Sequence, residues 1–305
     1  MNSVLVTGAG GFVGRYVLQQ LLAKGLQVHA VHGLNSVAGD SRAQWHQLDL
    51  LDGVAVSALL AKLRPQQLVH LAWCAKPGSY WTSAENLLWV RATLELLDAF
   101  RLSGGEAAVI AGTCAEYDWR YGYCQEALTP LQPATVYGRC KNAARELSEV
   151  FTQVHAIPVA WGRIFQVYGP HEPAGRLLPA TCQALLRGQE ARCSHGQQLR
   201  DFIHVKDVAN ALLHLLEVQA CGAFNIASGQ PTRIRAVVEY LANQLGRQEL
   251  LRFGAIAAPD GDPPLLVADI QKLRSLGWQA QFDLHSGLDD TLAWWQSNLR
   301  HNQPS

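Results

Sequence analysis

The fold of this chain is decided by the stretch Val4-Leu5-Val6-Thr7-Gly8-Ala9-Gly10-Gly11-Phe12-Val13-Gly14. Its apolar start is typical of a buried strand, and apolar residues then recur at the spacing of an amphipathic helix, at Phe12, Val13, Val17, Leu18, Leu21 and Leu22. Glycines between the two allow a tight turn, close approach of backbone N–H groups to a pyrophosphate, and close helix-to-strand packing. The helix N-terminus would then face the phosphates. We therefore predict a dinucleotide-binding turn with cofactor contacts at Gly8, Gly11, Phe12, Val13 and Gly14.

Further along, apolar runs typical of strands alternate with helical patterns. Strands are predicted at Gln27 to His32, Leu68 to Leu71, Ala107 to Ala111 and Val159 to Phe165, and helices near Val54 to Leu63, Ala84 to Arg101 and Tyr137 to His155. This alternation predicts an α/β protein with a Rossmann-type, doubly wound parallel sheet and ligands at the carboxyl ends of its strands. We assign residues 1–165 to the dinucleotide-binding domain, to which about 200–228 return. The proline-punctuated residues 166–305 are assigned to a smaller α/β substrate-binding lobe.

Composition excludes several classes of function. The 305 residues are 49% hydrophobic, which is enough for a large core, and carry 25 basic against 25 acidic residues without a basic run. Nucleic acid is therefore not an expected partner. No apolar stretch approaches the ~20 residues of a membrane span, and the first residues form a strand instead of a signal segment, so we expect a cytoplasmic protein without membrane contact. Seven cysteines without a C-x-x-C pair predict free thiols and no metal site.

Tyr137 and Lys141 provide the chemical signal. Residues four apart share one face of a helix, so the Lys141 ammonium can lie beside the phenol of Tyr137 and favour its ionised form. An unperturbed tyrosine titrates near ~10, and a positive neighbour brings it into range for proton transfer near pH 7. Thr113 lies 24 positions earlier, just past a predicted strand end, where chemistry is expected.

The order of glycine turn, Thr113, Tyr137 and Lys141 resembles the extended branch of the short-chain dehydrogenase/reductase family, of NAD-dependent epimerase/dehydratase type. The resemblance covers nearly the whole chain and includes segments at 124–133, 163–170, 200–209, 224–229, 261–264 and 276–278. It implies a Rossmann fold, a nicotinamide cofactor and a nucleotide-diphosphate sugar as substrate. It also implies a homodimer formed by the helices near 84–101 and 137–155.

The resemblance also assigns roles to individual residues. Asp49 would reach the adenine amino group, with Leu50 beside it, although an ordinary strand-end aspartate is the alternative. The segment His70-Leu71-Ala72-Trp73 resembles an HxAA stretch that passes under the cofactor, which implies cofactor contacts at Leu71, Ala72 and Trp73. Lys141 would hold the cofactor ribose. Arg200 would contact the diphosphate of the substrate, as suits a planar, permanently charged group, or would instead pair with Asp201.

Some positions depart from the family pattern. The sugar-nucleotide dehydratases of the family have an Asp-Glu pair after the threonine, but Cys114 and Ala115 stand here and neither supplies acid or base. Gln166 replaces an asparagine, and Pro259 or Asp260 stands where an arginine is common. Trp89 occupies the place of a structural asparagine, for which Asn86, one turn earlier, is a possible substitute.

Cofactor choice depends on the end of the second strand. NAD-preferring members carry a carboxylate there to bind the adenosine ribose, whereas this chain has His32. His32, Ser36 and Arg42 could accept a 2′-phosphate, while Asp40 in the same loop would oppose it. The sequence therefore favours NADP(H), with NAD(H) as the alternative.

These roles predict reduction of the C4 ketone of a nucleotide-linked 4-keto-6-deoxy sugar, with Thr113, Tyr137 and Lys141 as catalytic residues. Trp81 and Trp119 are candidates for shaping the sugar pocket or for plain packing. The expected substrate contacts are Lys76, Tyr80, Cys114, Glu116, Tyr117, Gln166 and Arg200. Three alternatives stay open: an NAD-dependent nucleotide-sugar C4-epimerase, a reductase of a non-sugar carbonyl, and a non-catalytic protein that senses the cofactor.

Overall fold

The computed structural model describes residues 3–33, 39–74, 78–258 and 261–301. The strands are β1 (Ser3–Thr7), β2 (Gln27–His32), β3 (Gln44–Gln47), β4 (Gln67–His70), β5 (Ala107–Thr113), β6 (Tyr123–Cys124), β7 (Val159–Ile164), β8 (Gln166–Tyr168), β9 (Ala191–Cys193), β10 (Leu199–His204), β11 (Gly222–Ile226), β12 (Pro231–Arg233), β13 (Leu251–Phe253) and β14 (Leu265–Ala268). The helices are α1 (Gly14–Ala23), α2 (Gly53–Leu63), α3 (Glu85–Leu102), α4 (Val136–His155), α5 (Leu177–Leu186), α6 (Val205–Glu217), α7 (Ile234–Leu245), α8 (Gln271–Ser275) and α9 (Leu284–His301). Short 3-10 turns span Cys114–Glu116, Trp119–Tyr121 and Gln248–Leu250.

The main sheet is parallel throughout, in the order β11-β7-β5-β4-β1-β2-β3. It confirms the predicted Rossmann-type, doubly wound architecture, because consecutive strands run outward from β1 in both directions. The predicted strand bounds agree within one or two residues. The expectation that Thr113 follows a strand was wrong in detail: β5 continues through Thr113, which is its last residue.

Helices cover both faces of the main sheet. One face packs against α1 and α6 through buried aliphatic side chains such as Val17, Leu21 and Leu212, and the other against α2, α3 and α4 through Leu60 and Phe100. A sheet buried on both faces explains why its strands are continuous apolar runs without polar alternation. The long helix α4, which carries Tyr137 and Lys141, is therefore fixed along its buried side.

The second lobe is built on a smaller sheet in the order β12-β10-β14-β6, with β8 added beside β10. Helices α5, α7 and α9 pack against it around a separate apolar cluster that includes Leu178, Leu241 and Trp295. Between these elements the chain returns to the main sheet, since α6 packs on α1 and β11 pairs with β7.

A buried carboxylate, Asp201, joins β10 to its surroundings. It accepts hydrogen bonds from the backbone and hydroxyl of Ser228, from the Gly229 N–H and from the Ala268 N–H. Four donors around one carboxylate satisfy the charge that burial removes from water. They fix the strand on which Arg200 lies.

Among the described residues, no helix combines the length and the apolarity needed to cross a bilayer.

Close contacts between backbone segments explain why glycines are needed in the turn after β1. Gly8 has φ +69°, and a Cβ at this position would lie 2.9 Å from the backbone nitrogen of Ala72. A Cβ at Gly14 would lie 2.1 Å from the carbonyl oxygen of Gly8, since α1 begins directly against the turn. No side chain fits at either position without moving the backbone.

We therefore expect Gly14→Ala to lower the free energy of unfolding by about 1–3 kcal/mol, because the added methyl group must push α1 away from Gly8. Urea unfolding of the variant measures this loss. The matched control is Gly175→Ala, whose added Cβ meets no atom within 4 Å. Equal stabilities of the two variants would contradict the expectation.

Candidate active site

The carboxyl end of β5 and the start of α4 bring Thr113 and Tyr137 together. The Thr113 hydroxyl lies close enough to the Tyr137 phenol to influence its ionisation. Thr135 caps α4 by accepting the Gly138 N–H at 3.0 Å, and the Tyr137 N–H donates to the Trp81 carbonyl at 3.1 Å. A Cβ at Gly138 would lie 2.2 Å from the Ala115 carbonyl oxygen, so glycine is what lets α4 approach the turn after β5.

Lys141 lies one turn further along the same face of α4 and is almost fully buried. Its Nζ donates to the Ala111 carbonyl at 2.8 Å and lies 3.9 Å from the centroid of the Trp73 ring. Burial lowers the pKa of Lys141 to about 7, against the opposing influence of the Glu116 charge. The ammonium therefore loses its proton near neutral pH.

Tyr137 differs electrostatically from the sequence-based expectation. Burial raises the pKa of Tyr137, the hydrogen bond from Thr113 opposes this, and the neighbouring Tyr80, Glu116 and Cys114 raise it further. The sequence predicted that the charge of Lys141 lowers the pKa of Tyr137. Among the groups of the protein itself this prediction was wrong, because burial also drives Lys141 towards its neutral form. The phenol is protonated at neutral pH and is a proton donor in this state.

Glu116 and Tyr117 were predicted to contact substrate, and the structure corrects both. The Glu116 carboxylate is buried and accepts from the Thr113 N–H at 2.8 Å, Trp161 Nε1 at 2.9 Å and Arg163 Nε at 2.7 Å. Tyr117 is also buried, accepts from Arg163 Nη1 at 3.0 Å and donates to Asn225 Oδ1 at 2.7 Å. Both side chains are buried and hold the end of β5 in place, and Tyr117 also lines a cavity that it shares with Trp119.

Aromatic rings enclose Tyr137. The centroids of Tyr80, Trp81 and Trp73 lie 5.0, 5.6 and 6.5 Å from that of Tyr137, each nearly perpendicular to it. Trp119 packs edge-on against Trp81 at 6.1 Å and donates its Nε1 to the Cys114 carbonyl. Such rings exclude water from the phenol and offer apolar faces to a ligand.

A cavity of about 310 Å³ lies beside the glycine turn. Its lining includes Gly8, Asp49, Leu50 and Ala72, which the sequence predicted to contact the cofactor, together with Val31, Gly33, Leu48, Leu51, Glu85 and Trp89. Asp49 Oδ1 accepts the Leu51 N–H at 2.9 Å. The cavity has a mixed lining of apolar walls and two carboxylates, Asp49 and Glu85, and such a lining suits a nucleobase.

The segment under this cavity is fixed by hydrogen bonds. The N–H groups of Leu71 and Ala72 donate to the Thr7 hydroxyl, which is bonded to His70 Nδ1 at 2.7 Å. His70 Nε2 contacts the Thr93 hydroxyl at 3.0 Å, and burial lowers the pKa of His70 to about 3, so this imidazole is neutral. The strand ends β1 and β4 are thereby locked together beneath the turn.

A second cavity, of about 270 Å³, is lined by Gly10, Arg15, Asp40 and Trp45 among others. Arg42, predicted to accept a 2′-phosphate, forms a forked hydrogen-bonded pair with Asp40, and this pairing lowers the pKa of Asp40 to about 2. His32 packs its ring edge-on against Trp45 at 5.7 Å. Ser36 lies outside the described residues.

Arg200 is buried on β10, and the predicted alternative of a pair with Asp201 is not what forms. Its guanidinium instead pairs with Asp262, which also accepts Gln198 Nε2 at 3.0 Å. Gln166 lies in β8 directly opposite Phe202 of β10, on the same small sheet. Lys76, Pro259 and Asp260 lie outside the described residues.

Sequence reasoning missed Arg176 and Asp262. Arg176 precedes α5 and lies close enough to the Tyr80 phenol for its charge to oppose the rise that burial causes in the pKa of Tyr80. Asp262 also borders a large cavity of about 910 Å³ whose wall includes Trp119 and Arg139. No local pattern marks Arg176, whereas the acidic residue of the segment Gly261-Asp262-Pro263-Pro264 could have been proposed as the partner of Arg200.

Asn86, which the sequence suggests as a substitute for the structural asparagine, is fixed inside the protein by hydrogen bonds. It is fully buried, its Nδ2 donates to the Tyr80 and Ser83 carbonyls, and its Oδ1 accepts Trp73 Nε1 at 2.8 Å. Trp89 lies at the 310 Å³ cavity, 6.2 Å from the Trp73 ring. The exchange of asparagine for tryptophan at position 89 thus alters the lining of that cavity.

Comparison with known proteins agrees with this geometry. The model of the NAD dependent epimerase/dehydratase family matches residues 4–227. CDP-abequose synthase of Salmonella typhimurium is 26% identical to this chain over 306 residues, covering 95% of this chain and 97% of the relative. UDP-glucose 4-epimerase of Azospirillum brasilense is 29% identical over 335 residues, and the match covers 98% of this chain and 93% of the relative.

Solved structures are similar over the same length. The structure of MoeE5 in complex with UDP-glucuronic acid and NAD has a TM-score of 0.85 and 30% identity, and the match covers 97% of this chain and 99% of that one. These relatives are nucleotide-sugar enzymes, and the solved relative contains NAD.

Burial of Lys141 makes a prediction for stability. In the unfolded chain Lys141 keeps its proton up to its ordinary pKa of 10.5, whereas the folded protein releases it near 7, so folding below pH 7 must bury a charge. We expect Lys141→Met to be more stable than the wild type at pH 6, by on the order of 2–4 kcal/mol after loss of the hydrogen bond to Ala111. The difference should shrink as the pH rises from 7 towards 10.5.

Urea unfolding at pH 6, 8 and 10 measures this difference. Lys62→Met, which changes an exposed lysine at the end of α2, is the control and should show no such trend. A Lys141→Met variant that is less stable than the wild type at pH 6 would contradict the electrostatic account.

Proposed function

This chain belongs to the NAD dependent epimerase/dehydratase family, and from that premise we propose that it reduces the C4 ketone of a nucleotide-linked 4-keto-6-deoxy sugar with NADPH. One observation carries the proposal. Tyr137 is held protonated next to the Thr113 hydroxyl, while the following positions are Cys114 and Ala115, which supply neither acid nor base. The site is equipped to deliver one proton to a carbonyl oxygen and lacks groups for elimination of water.

The residues at the glycine edge fit a nicotinamide dinucleotide. The backbone of Gly8 to Gly14 would hold the pyrophosphate, the cavity at Asp49 and Leu50 would take the adenine, and Lys141 would hold the nicotinamide ribose. When bound, the cofactor supplies the hydride that reduces C4.

The protein's own residues then control the proton. The Thr113 hydroxyl and the Tyr137 phenol would donate hydrogen bonds to the ketone oxygen, and the Tyr137 proton would pass to that oxygen as negative charge develops there. Tyr80 and Trp81 exclude water around the phenol, which strengthens these hydrogen bonds. A protonated Lys141 would stabilise the phenolate that remains.

Arg200 would hold the diphosphate at the other end of the substrate. Asp262 fixes its guanidinium, and the charge of Arg200 lowers the pKa of Cys114, against the larger rise that burial causes. Holding the remote diphosphate positions C4 without contact to the reacting atoms. Arg176, whose charge acts on the Tyr80 phenol, would add a second positive charge on this side.

NADP(H) is the cofactor that we propose. No carboxylate stands at position 32, and this supports acceptance of a 2′-phosphate near His32 and Arg42. Asp40 already pairs with Arg42, so the phosphate would replace that carboxylate as the partner of the guanidinium. NAD(H) remains the alternative, and MoeE5 was solved with NAD.

A C4-epimerase is the second candidate, because UDP-glucose 4-epimerase of Azospirillum brasilense aligns with nearly the whole chain. The same Thr113, Tyr137 and Lys141 would serve it, with the phenol taking and returning the proton. This reaction leaves the amount of reduced cofactor unchanged, and so can be distinguished from a net reduction.

The test mixes the protein with NADPH or NADH and a panel of nucleotide-linked 4-keto-6-deoxy sugars, following nicotinamide absorbance and sugar product together. We expect stoichiometric loss of NADPH with formation of a 4-hydroxy sugar, and slower loss of NADH. Tyr137→Phe should lower kcat by at least ~10²-fold, because the proton donor is removed. Its affinity for NADPH should stay within a few-fold of the wild type.

No cofactor loss with any sugar of the panel would sink the reductase. Inversion of a 4-hydroxy nucleotide sugar without added cofactor would establish the epimerase instead.

A homodimer is also part of the proposal. Helix α4 exposes Leu147, Val150 and Val154 on one face, and the adjacent α3 exposes Leu87 and Leu88. Two such helix pairs would bury these side chains as a four-helix bundle.

We expect Val150→Asp to convert the dimer into a monomer, because two buried carboxylates would face each other across the interface. Light scattering coupled to gel filtration measures the mass. Val218→Asp, at an exposed valine after α6, is the control and should leave the mass unchanged. A wild-type mass of one chain would contradict the proposed dimer.

A further inference from the structure

Lys141 carries its charge in an unusual setting. Only 3% of its surface is exposed, and an ammonium has three protons to donate. Among the described residues, the one hydrogen bond that the Lys141 ammonium donates goes to the Ala111 carbonyl. The face of the Trp73 indole lies over Nζ at 3.9 Å, and a more distant ring, Trp161, lies at 5.8 Å. An aromatic face thus takes the place of polar partners around most of this cation.

A hydrogen bond to Asn86 holds the indole of Trp73 in that position. Its Nε1 donates to Asn86 Oδ1 at 2.8 Å, and Asn86 is fully buried and anchored on the carbonyls of Tyr80 and Ser83. The ring therefore cannot turn away from Lys141 without leaving a buried amide oxygen without this partner. Where the family resemblance expects the second alanine of HxAA, this chain has a fixed indole.

The charged and titratable groups that face Lys141 are few. Glu116, on the turn after β5, favours its protonated form and is itself bonded to Arg163. His70, at the end of β4, is neutral, and Tyr137, on the same helix, is protonated. Burial outweighs Glu116 and brings the pKa of Lys141 to about 7. Because this pKa lies at neutral pH, a tenfold change in the proton affinity of Lys141 changes the side chain from mostly charged to mostly neutral, or the reverse.

We propose that Trp73 is a positioning residue of this active site: its indole face holds the buried ammonium of Lys141 in the protonated form beside Tyr137. A desolvated cation over an indole is stabilised by the negative face of the ring, whereas a neutral amine gains little. The contact therefore favours protonation and fixes where Nζ lies. The consequence for catalysis rests on the proposed function, but the contact itself does not.

The test follows Lys141 directly. Protein labelled with ¹³C at lysine Cε is titrated from pH 5 to 10 by NMR, and the Lys141 resonance is the one that Lys141→Arg lacks. In Trp73→Leu we expect its midpoint to fall by about one pH unit, a tenfold loss of proton affinity. Trp73→Phe keeps an aromatic face and should show a smaller fall.

The matched control is Trp89→Leu, which removes the indole 6.2 Å from Trp73. The pH midpoint of the Lys141 titration in this variant should equal that of the wild type. A midpoint that is unchanged or higher in Trp73→Leu overturns the proposal, and so does an equal fall in Trp89→Leu, which would make the effect one of general packing. Circular dichroism confirms that each variant is folded, and the Phe variant decides the question if the Leu variant is not.

Activity gives a second readout. If the 4-keto sugar is the substrate, the alkaline limb of kcat/KM in Trp73→Leu should move to lower pH by the same amount as the NMR midpoint. A shift of the alkaline limb that differs from the shift of the NMR midpoint would contradict the positioning role of Trp73. If no nucleotide sugar is turned over, the proposed function fails while the NMR titration still decides the role of Trp73.

Discussion

The structure depends on one buried ion pair, Glu116 with Arg163, whose side chains are 0% and 1% exposed. The carboxylate also accepts the Thr113 N–H, and the guanidinium donates to Tyr117, which donates to Asn225. Because these residues come from β5, the turn after it, β7 and β11, the pair connects the carboxyl end of β5 to the edge of the main sheet. Loss of one partner would leave an uncompensated buried charge at a cost of about 3–5 kcal/mol. Thr113 owes its position to this pair.

Patterns within one segment predicted most of the fold. The apolar strand before Gly8, the glycine turn, and the shared face of Tyr137 and Lys141 depend on near neighbours, and the structure has them as expected. Contacts between distant segments were not predictable in this way. Nothing near Glu116 shows that its partner is Arg163, 47 residues later, so its acidic side chain suggested a substrate contact. Spacing likewise does not place Trp73 on Lys141, because that contact exists only once β4 and α4 are packed.

Burial sets the protonation states of Tyr137 and Lys141 more strongly than their mutual contacts do. It raises the pKa of Tyr137 and lowers that of Lys141, so that both groups are driven towards their neutral forms. A neutral phenol has a proton to give, which suits the reductive direction of the proposed reaction. The aromatic rings around Tyr137 maintain this state, since they admit neither water nor a counter-ion on the sides that they cover.

Cys114 has a consequence for the wider chemistry of the cell. Burial raises the pKa of this thiol to about 12, so the residue after Thr113 neither gives nor takes a proton at physiological pH. Under the proposed reaction, the chain cannot make its own ketone by removing water from a common nucleotide sugar. A separate dehydrating enzyme must supply the ketone. The product, a 4-hydroxy sugar, would keep its activated nucleotide linkage, so this step would decide which C4 stereoisomer is available to an enzyme that transfers the sugar.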